Sequence, residues 1–105
     1  MSDVITVNKL DLNQNFGTDF LIINAFNDEL LIFKHEKKFH VVSSFCPHFG
    51  GPVSYEKNTL KCYWHGWEFS PINYKCINRA VNCKLRVYKY IETDTTLEIL
   101  NESEI

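Results

Sequence analysis

The sequence predicts one all-β domain built from antiparallel sheets. Short runs rich in β-branched and aromatic residues recur along the chain between turn residues, which is typical of a small β-sandwich or barrel. The chain has 105 residues, which is enough for one domain with one hydrophobic core. It contains no repeat, no low-complexity tract and no linker rich in Pro, Gly or Ser. We therefore expect residues 1–105 to form a single domain.

Seven runs are predicted to be strands: Val4–Val7, Phe20–Ala25, Leu30–Phe33, Phe39–Phe45, Thr59–Cys62, Leu85–Ile91 and Thr96–Leu100. Asn27-Asp28 is placed for a tight hairpin turn, and His35–Lys38 is expected to form a second turn. Residues 11–19 and 70–83 are predicted to be irregular. Alternation along the strands predicts a core of six residues: Phe20, Ile22, Leu31, Phe33, Val41 and Leu97.

Composition excludes several classes of function. The net charge is -2, whereas a protein that binds nucleic acid or a membrane surface needs a basic footprint. No apolar stretch approaches the length of a membrane span, and the first ten residues do not resemble a signal peptide. We expect a cytoplasmic protein that contacts neither membrane nor nucleic acid. In a reducing compartment, its four cysteines are read as metal ligands or buried thiols.

Residues 46–71 concentrate the unusual residue types. They contain all three prolines and three of the four glycines, together with both tryptophans. Within them lie two short motifs, Cys46-Pro47-His48 and Cys62-Tyr63-Trp64-His65, separated by residues 49–61. If residues 49–61 form a hairpin, the second motif returns to lie beside the first. Two thiolates and two imidazoles suit zinc or iron, so the donor set by itself leaves both metals open.

The stretch CPHFGGPVSYEKNTLKCYWHGWEF resembles the cluster-binding region of Rieske proteins, with its C-x-H-x-G and C-x-x-H-G-W-x-F loops. The resemblance implies the Rieske iron-sulfur fold, with antiparallel sheets and a cluster-binding subdomain inserted at about residues 45–80. It also implies one 2Fe-2S cluster, with Cys46 and Cys62 on one iron and His48 and His65 on the other.

The same resemblance assigns supporting roles around the cluster. Gly50, Gly51 and Gly66 would allow backbone N–H groups to approach the sulfurs, and Pro52, Trp64 and Trp67 would pack around the cluster and exclude water. A third loop, often containing proline in relatives, would correspond to Ile77–Asn82, which contains no proline. The two other cysteines, Cys76 and Cys83, are expected to be small buried hydrophobic residues.

The implied function is that of the small Rieske ferredoxins, which carry one electron at a time from a ferredoxin reductase to a terminal oxygenase. We expect a monomer that docks over Pro47, Phe49 and Trp64. We expect no catalytic site, because the remaining histidines, His35 and His40, are predicted to lie in a solvated turn and cannot form a mononuclear iron site. Two alternatives are a small Rieske subunit of a larger reductase complex, similar to a nitrite reductase, and a zinc-binding module.

Overall fold

The structure is a computed structural model and describes residues 4–13, 20–47, 51–64, 66–79 and 83–104. Most of its regular structure is strand, which confirms the predicted all-β class. The elements in chain order are β1 (Val4–Asn8), α1 (Lys9–Asn13), β2 (Phe20–Ala25), β3 (Asp28–His35), β4 (Lys38–Ser43), β5 (Val53–Glu56), β6 (Thr59–Cys62), β7 (Glu68–Phe69), β8 (Val87–Glu92) and β9 (Thr96–Glu104).

The strands form two antiparallel sheets. One sheet has six strands in the order β1-β9-β8-β4-β3-β2, and the other has three in the order β5-β6-β7. The small sheet comes from the chain between β4 and β8, which pair with each other at Val42 and Val87. The region that contains both Cys–His motifs is therefore inserted between two paired strands of the large sheet. That residues 1–105 form one domain remains a prediction.

Three hairpins share the same two-residue turn, at Phe26–Asn27, Glu36–Lys37 and Lys57–Asn58. Both residues of each turn have positive φ, between 50° and 67°. Turns of this kind match the right-handed twist of the strands that they connect, although most residue types pay a steric cost there. The second hairpin was expected across residues 35–38, and the structure narrows its turn to Glu36–Lys37.

The first turn lies one residue earlier than the predicted Asn27-Asp28. Phe26 enters the turn because its ring packs in the core and stacks on Tyr88, with the ring centroids 6.0 Å apart. Asp28 instead begins β3, where its carboxylate accepts hydrogen bonds from the Tyr88 hydroxyl at 2.6 Å and the Ser43 hydroxyl at 2.9 Å. Contacts with distant strands thus decide the position of this turn.

Strand β3 is buried on both faces. Leu31 and Phe33 belong to one hydrophobic cluster, while Leu30 and Ile32 belong to another, and none of the four is more than 2% exposed. The first cluster includes side chains from the small sheet. The second is formed by strands of the large sheet. A continuous apolar run is therefore a better description of β3 than the alternating pattern used to predict the core.

Two sequence expectations fail at the edges of the large sheet. Ile22 was placed in the core, but β2 is an edge strand and Ile22 is 36% exposed. Residues 11–19 were predicted to be irregular, yet α1 includes residues 11–13. The Lys9 ammonium at the start of α1 lies 2.6 Å from the Glu92 carboxylate, and the Lys9 N–H donates to the Thr95 carbonyl. These long-range contacts hold a helix that its five residues could not stabilise alone.

His35 and His40 do not lie in a solvated turn, as was expected, but in the two strands that flank it. The His40 ring stacks on Phe33 at a centroid distance of 4.8 Å, and its Nδ1 lies 2.6 Å from the Tyr74 hydroxyl. The Nδ1 of His35 lies 2.8 Å from the Tyr55 hydroxyl. Both tyrosines belong to the inserted region, so the two histidines connect it to the large sheet.

The environment of His40 predicts a loss of stability in acid. Burial lowers the pKa of His40 and outweighs the hydrogen bond with the His35 backbone, which raises it, while the charges of His35 and Lys38 also lower it. As the pH falls below about 6.5, the unfolded chain takes up this proton before the folded protein does. The folding free energy from His40 is therefore fully present above that pH and decreases as the pH falls towards the lower pKa of the folded state.

We expect the wild-type melting temperature to fall more steeply below about pH 6.5 than that of His40→Asn, whose amide nitrogen takes the place of Nδ1 but does not titrate. Scanning fluorimetry of both proteins from about pH 8 to about pH 5 measures the difference. Parallel melting curves across this range would contradict the assignment.

Candidate metal centre

The two motif cysteines lie in one core. Cys46 follows β4 and Cys62 ends β6, and each is 2% exposed. Both belong to the hydrophobic cluster that contains Phe33 from β3, and neither forms a disulfide. The structure therefore places both thiols in the same buried region, although they are separated by a hairpin in the sequence.

The first motif loop is closed by backbone hydrogen bonds. The N–H of Cys46 donates to the Gly51 carbonyl at 2.9 Å, and the N–H of Val53 donates to the Ser44 carbonyl at 2.8 Å. Between these bonds, Phe45 and Pro52 form an antiparallel bridge. The chain thus leaves the end of β4 at Ser44 and returns beside it to begin β5.

The second motif loop is joined to the first through β5. Val53 pairs with Cys62, and the N–H of Tyr63 donates to the Pro52 carbonyl at 3.2 Å. The loop closes on itself where the N–H of Cys62 donates to the Trp67 carbonyl at 2.8 Å. Gly66 has a φ of 70°, which favours glycine, and its N–H donates to the Cys62 carbonyl at 3.1 Å.

Gly51 and Trp64 join the two loops by direct packing. A Cβ atom at position 51 would lie 2.8 Å from Cγ and Cδ2 of Trp64, closer than side chains normally approach. These atoms are at the base of the indole, so relieving the overlap would require the whole ring or the loop backbone to move. Glycine at position 51 is thus required by the contact between the loops.

The other predicted supporting residues differ in their surroundings. Trp67 is half-buried against the core, and the Arg79 guanidinium lies 5.8 Å from its ring. Pro52 is exposed and holds the loop through its backbone. His48, His65 and Gly50 lie outside the described residues, as does Phe49.

A polar network below the first loop was not predicted. Ser43 and Ser44 are buried, and their hydroxyls donate to the carboxylates of Asp28 and Glu29, each at 2.9 Å. The Ser44 N–H also donates to the Glu29 carbonyl at 2.7 Å. This network holds the chain directly before Cys46. The consecutive serines and the consecutive acidic residues could have suggested hydrogen bonding, but not their pairing.

Asn78 holds the third loop against the second. Its amide group donates to the Gly66 carbonyl at 2.8 Å, and its carbonyl oxygen accepts from the Glu68 N–H at 2.9 Å. The Ile77 N–H donates to the Glu68 carbonyl at 2.9 Å. The predicted third loop thus contacts the second motif loop through its first two residues, while residues 80–82 lie outside the described part of the chain. Nothing in the local sequence singles out Asn78.

Three aromatic side chains next to the buried cysteines face outward. Phe45, Tyr63 and Trp64 are 45%, 53% and 58% exposed. We call these three residues the aromatic rim. The Tyr63 hydroxyl contacts the Glu56 carboxylate, which orients this ring. Sequence reasoning identified Trp64 but missed Phe45 and Tyr63, although both directly adjoin a motif cysteine in the sequence.

Within the ranges that the structure describes, no three His, Cys, Asp or Glu side chains form a metal-binding group. Two of the four predicted donors, His48 and His65, lie outside those ranges. The residues that are described suit a cluster of iron and sulfide, because their two thiols are buried, are not in a disulfide and lie on loops that are paired with each other. No helix in the described ranges is long and apolar enough to cross a membrane.

Comparison with known proteins agrees with this geometry. The family model of the Rieske [2Fe-2S] domain matches residues 4–89. No curated protein matches the sequence significantly.

The fold is similar to that of several solved structures. A chain in the complex of reduced oxygenase and oxidised ferredoxin in carbazole 1,9a-dioxygenase aligns with a TM-score of 0.79 and 14% identity over 100% of this chain and 99% of that chain. The ferredoxin of carbazole 1,9a-dioxygenase from Nocardioides aromaticivorans IC177 aligns with a TM-score of 0.75 and 13% identity, over 96% of this chain and 100% of that chain. The cyanobacterial plasma membrane Rieske protein from Synechocystis PCC 6803 aligns with a TM-score of 0.71 and 20% identity, over 89% of this chain and 97% of that chain.

At these identities the structural similarity shows the fold, whereas the family match also covers both motifs and most of the chain. It supports a 2Fe-2S cluster rather than the zinc alternative. The chain belongs to the family of Rieske domains, whose cofactor is a 2Fe-2S cluster.

Proposed function

We propose that this protein is a one-electron carrier in which Cys46 and Cys62 bind one iron of the cluster and His48 and His65 bind the other. The observation that carries the proposal is the placement of two buried cysteine thiols, neither of them in a disulfide, on loops that are hydrogen-bonded to each other. When bound, a Rieske cluster supplies reversible one-electron chemistry.

The surrounding residues would hold the ligands in place. The serine network fixes the chain before Cys46, and the Gly51–Trp64 contact fixes the distance between the two loops. Gly50 and Gly66 would leave room for the sulfides, while Trp64, Trp67 and Pro52 would limit the entry of water. A rigid support of this kind reduces the rearrangement that accompanies a change of charge on the ligands.

The aromatic rim supports a docking role for this end of the molecule. Exposed aromatic side chains are enriched at the centres of protein interfaces. Here they lie within two positions of the cysteines that would bind the cluster, so a partner that docks on them would be close to it. We propose that a ferredoxin reductase and a terminal oxygenase dock in turn over the aromatic rim and Pro47. A complex of ferredoxin and oxygenase is described for the similar carbazole 1,9a-dioxygenase structure.

We further propose that the protein acts as a monomeric carrier in the cytoplasm and has no catalytic site of its own. His35 and His40, the two histidines outside the motifs, have tyrosine partners in the fold and are not needed to bind the cluster. None of the four cysteines is in a disulfide, which suits a reducing compartment. A protein that purifies only within a larger reductase complex would instead support the subunit alternative.

The ligand assignment predicts the metal content of four variants. The wild type should contain about two iron and two acid-labile sulfide per chain. Cys46→Ser and Cys62→Ser should each lose the cluster, because a soft thiolate is replaced by a hard hydroxyl. Cys76→Ser and Cys83→Ser are the matched controls and should keep it. Iron and sulfide analysis with the visible spectrum measures all five proteins, and retention of the cluster in Cys46→Ser or Cys62→Ser would overturn the assignment.

The contact between the loops predicts a rescue experiment. Gly51→Ala should destabilise the protein by about 1–3 kcal/mol, because the new methyl group overlaps the Trp64 ring. It should also shorten the time for which the cluster is retained on heating. In the Trp64→Ala background, the methyl group of Gly51→Ala has space. The loss of unfolding free energy caused by Gly51→Ala should therefore largely disappear in Gly51→Ala/Trp64→Ala. Melting temperatures and the rate at which visible absorbance is lost on heating are measured for the wild type, both single variants and the double variant. Equal costs of Gly51→Ala in both backgrounds would contradict the proposed contact.

The docking proposal predicts a local effect on electron transfer. Phe45→Glu places a charge in the proposed interface and should slow reduction by a ferredoxin reductase about tenfold, while the visible spectrum stays unchanged. Ile91→Glu is the control, because Ile91 is similarly exposed at 53% but lies further along β8, beyond its pairing with β4. Stopped-flow reduction at limiting protein concentration measures both rates. An equal effect of the two substitutions would place the docking surface elsewhere.

A further inference from the structure

Cys76 and Cys83 lie opposite each other on two short antiparallel segments. The Cys76 N–H donates to the Cys83 carbonyl at 2.9 Å, and the neighbouring residues Lys75 and Lys84 form an antiparallel bridge. The Leu85 N–H continues the ladder by donating to the Tyr74 carbonyl at 3.0 Å. Residues that face each other across such a ladder place their side chains on the same side. The fold thus brings together the two cysteines that the cluster would not use.

The spacing of such a pair suits a disulfide. Cys76 and Cys83 are a hydrogen-bonded pair of the ladder, in which Cα atoms lie about 5.5 Å apart, and disulfides join Cα atoms about 4.4–6.8 Å apart. Both thiols are free and half-buried, which corrects the expectation that they are buried core residues. They are therefore accessible to small reagents, whereas Cys46 and Cys62 are each only 2% exposed.

The electrostatics of Cys83 agree with this arrangement. Burial raises the pKa of the Cys83 thiol, and the neighbouring Cys76 raises it further. A dithiol gains stability against its disulfide when a low pKa allows one thiol to ionise. Cys83 lacks that stabilisation of the reduced form.

We propose that Cys76 and Cys83 form a reversible thiol–disulfide pair that exchanges with glutathione-type disulfides. One cysteine thiolate attacks a sulfur of the small disulfide, its S–S bond breaks, and one small thiolate leaves and takes up a proton. The second cysteine then attacks the mixed disulfide, forms the Cys76–Cys83 bond and releases the second small thiol. Two electrons and two protons pass from the protein to the small disulfide, so the exchange balances.

The pair is positioned to act on the second motif loop. The Cys76 thiol lies 3.8 Å from the Asn78 carbonyl oxygen, and Asn78 hydrogen-bonds to Gly66 and Glu68. A disulfide would remove the S–H donor and close residues 77–82 into a small covalent ring. This inference does not depend on the proposed electron-transfer partners or on the identity of the cluster ligands.

A peptide map tests the proposal directly. Trypsin cleaves after Lys75, Arg79 and Lys84, which places the two cysteines in separate peptides, 76–79 and 80–84. The motif cysteines fall in other peptides. After the folded, cluster-loaded protein is treated with oxidised glutathione, alkylated and digested without reduction, the two peptides should appear as one linked species. The alkylated forms of both peptides should be lost, and reduced glutathione should restore them.

Two kinds of variant serve as controls. Cys76→Ser and Cys83→Ser should stop at the mixed disulfide with glutathione. Cys83→Ser/Lys84→Cys keeps the number of thiols but moves one to the opposite side of its strand, so it should give no internal link, with the second peptide now extending to Arg86. Persistent mixed disulfides in the wild type without a linked species, or an equally abundant link in the displaced variant, would overturn the proposal.

Discussion

Burial of β3 on both faces is the constraint on which both hydrophobic clusters and the motif loops depend. On one face, Leu30 and Ile32 complete the core of the large sheet, and on the other Leu31 and Phe33 contact the region that contains the motif cysteines. A strand that serves two cores cannot slip by one residue without exchanging every side chain between them. The register of β3 therefore positions both the scaffold and the support for the proposed cluster.

The ends of β3 and β4 transmit this register to the ligand loops. Asp28 and Glu29, at the start of β3, bind the hydroxyls of Ser43 and Ser44, which directly precede Phe45 and Cys46. Tyr88 adds a further hydrogen bond to Asp28 from β8. Burial and the bond to Asp28 both raise the pKa of Tyr88, so this hydroxyl remains a donor. A partly buried polar network with each of these groups paired favours one geometry, because a displacement breaks hydrogen bonds between the strands.

The four cysteines form two pairs that differ in their surroundings. The first pair is deeply buried, lies at the loops that contact each other through Gly51 and Trp64, and suits a metal cluster. The second pair lies half-buried on a short ladder that borders β7 through the bridge between Phe69 and Cys76, and it suits exchange with small disulfides. Asn78 lies between the two regions and hydrogen-bonds to Gly66. Formation of a disulfide in the second pair would therefore alter the contacts of Asn78 with the second motif loop.

The sequence alone was sufficient for the features that short segments encode. The apolar and β-branched runs predicted the all-β class, including β2 and β6 with their observed bounds. The resemblance of the C-x-H-x-G and C-x-x-H-G-W-x-F loops to Rieske proteins predicted the family and its cofactor. Such features depend on residues within a few positions of each other, because strand periodicity and ligand spacing are local properties.

Only the tertiary structure could decide the features that depend on residues distant in sequence. It moved the first turn to Phe26, exposed Ile22 at a sheet edge, and paired His35 and His40 with tyrosines of the inserted region. It also brought Gly51 against Trp64 and Cys76 opposite Cys83. Each of these features is stabilised by contacts that form only when the strands have paired. No local pattern in the sequence specifies which residues make those contacts.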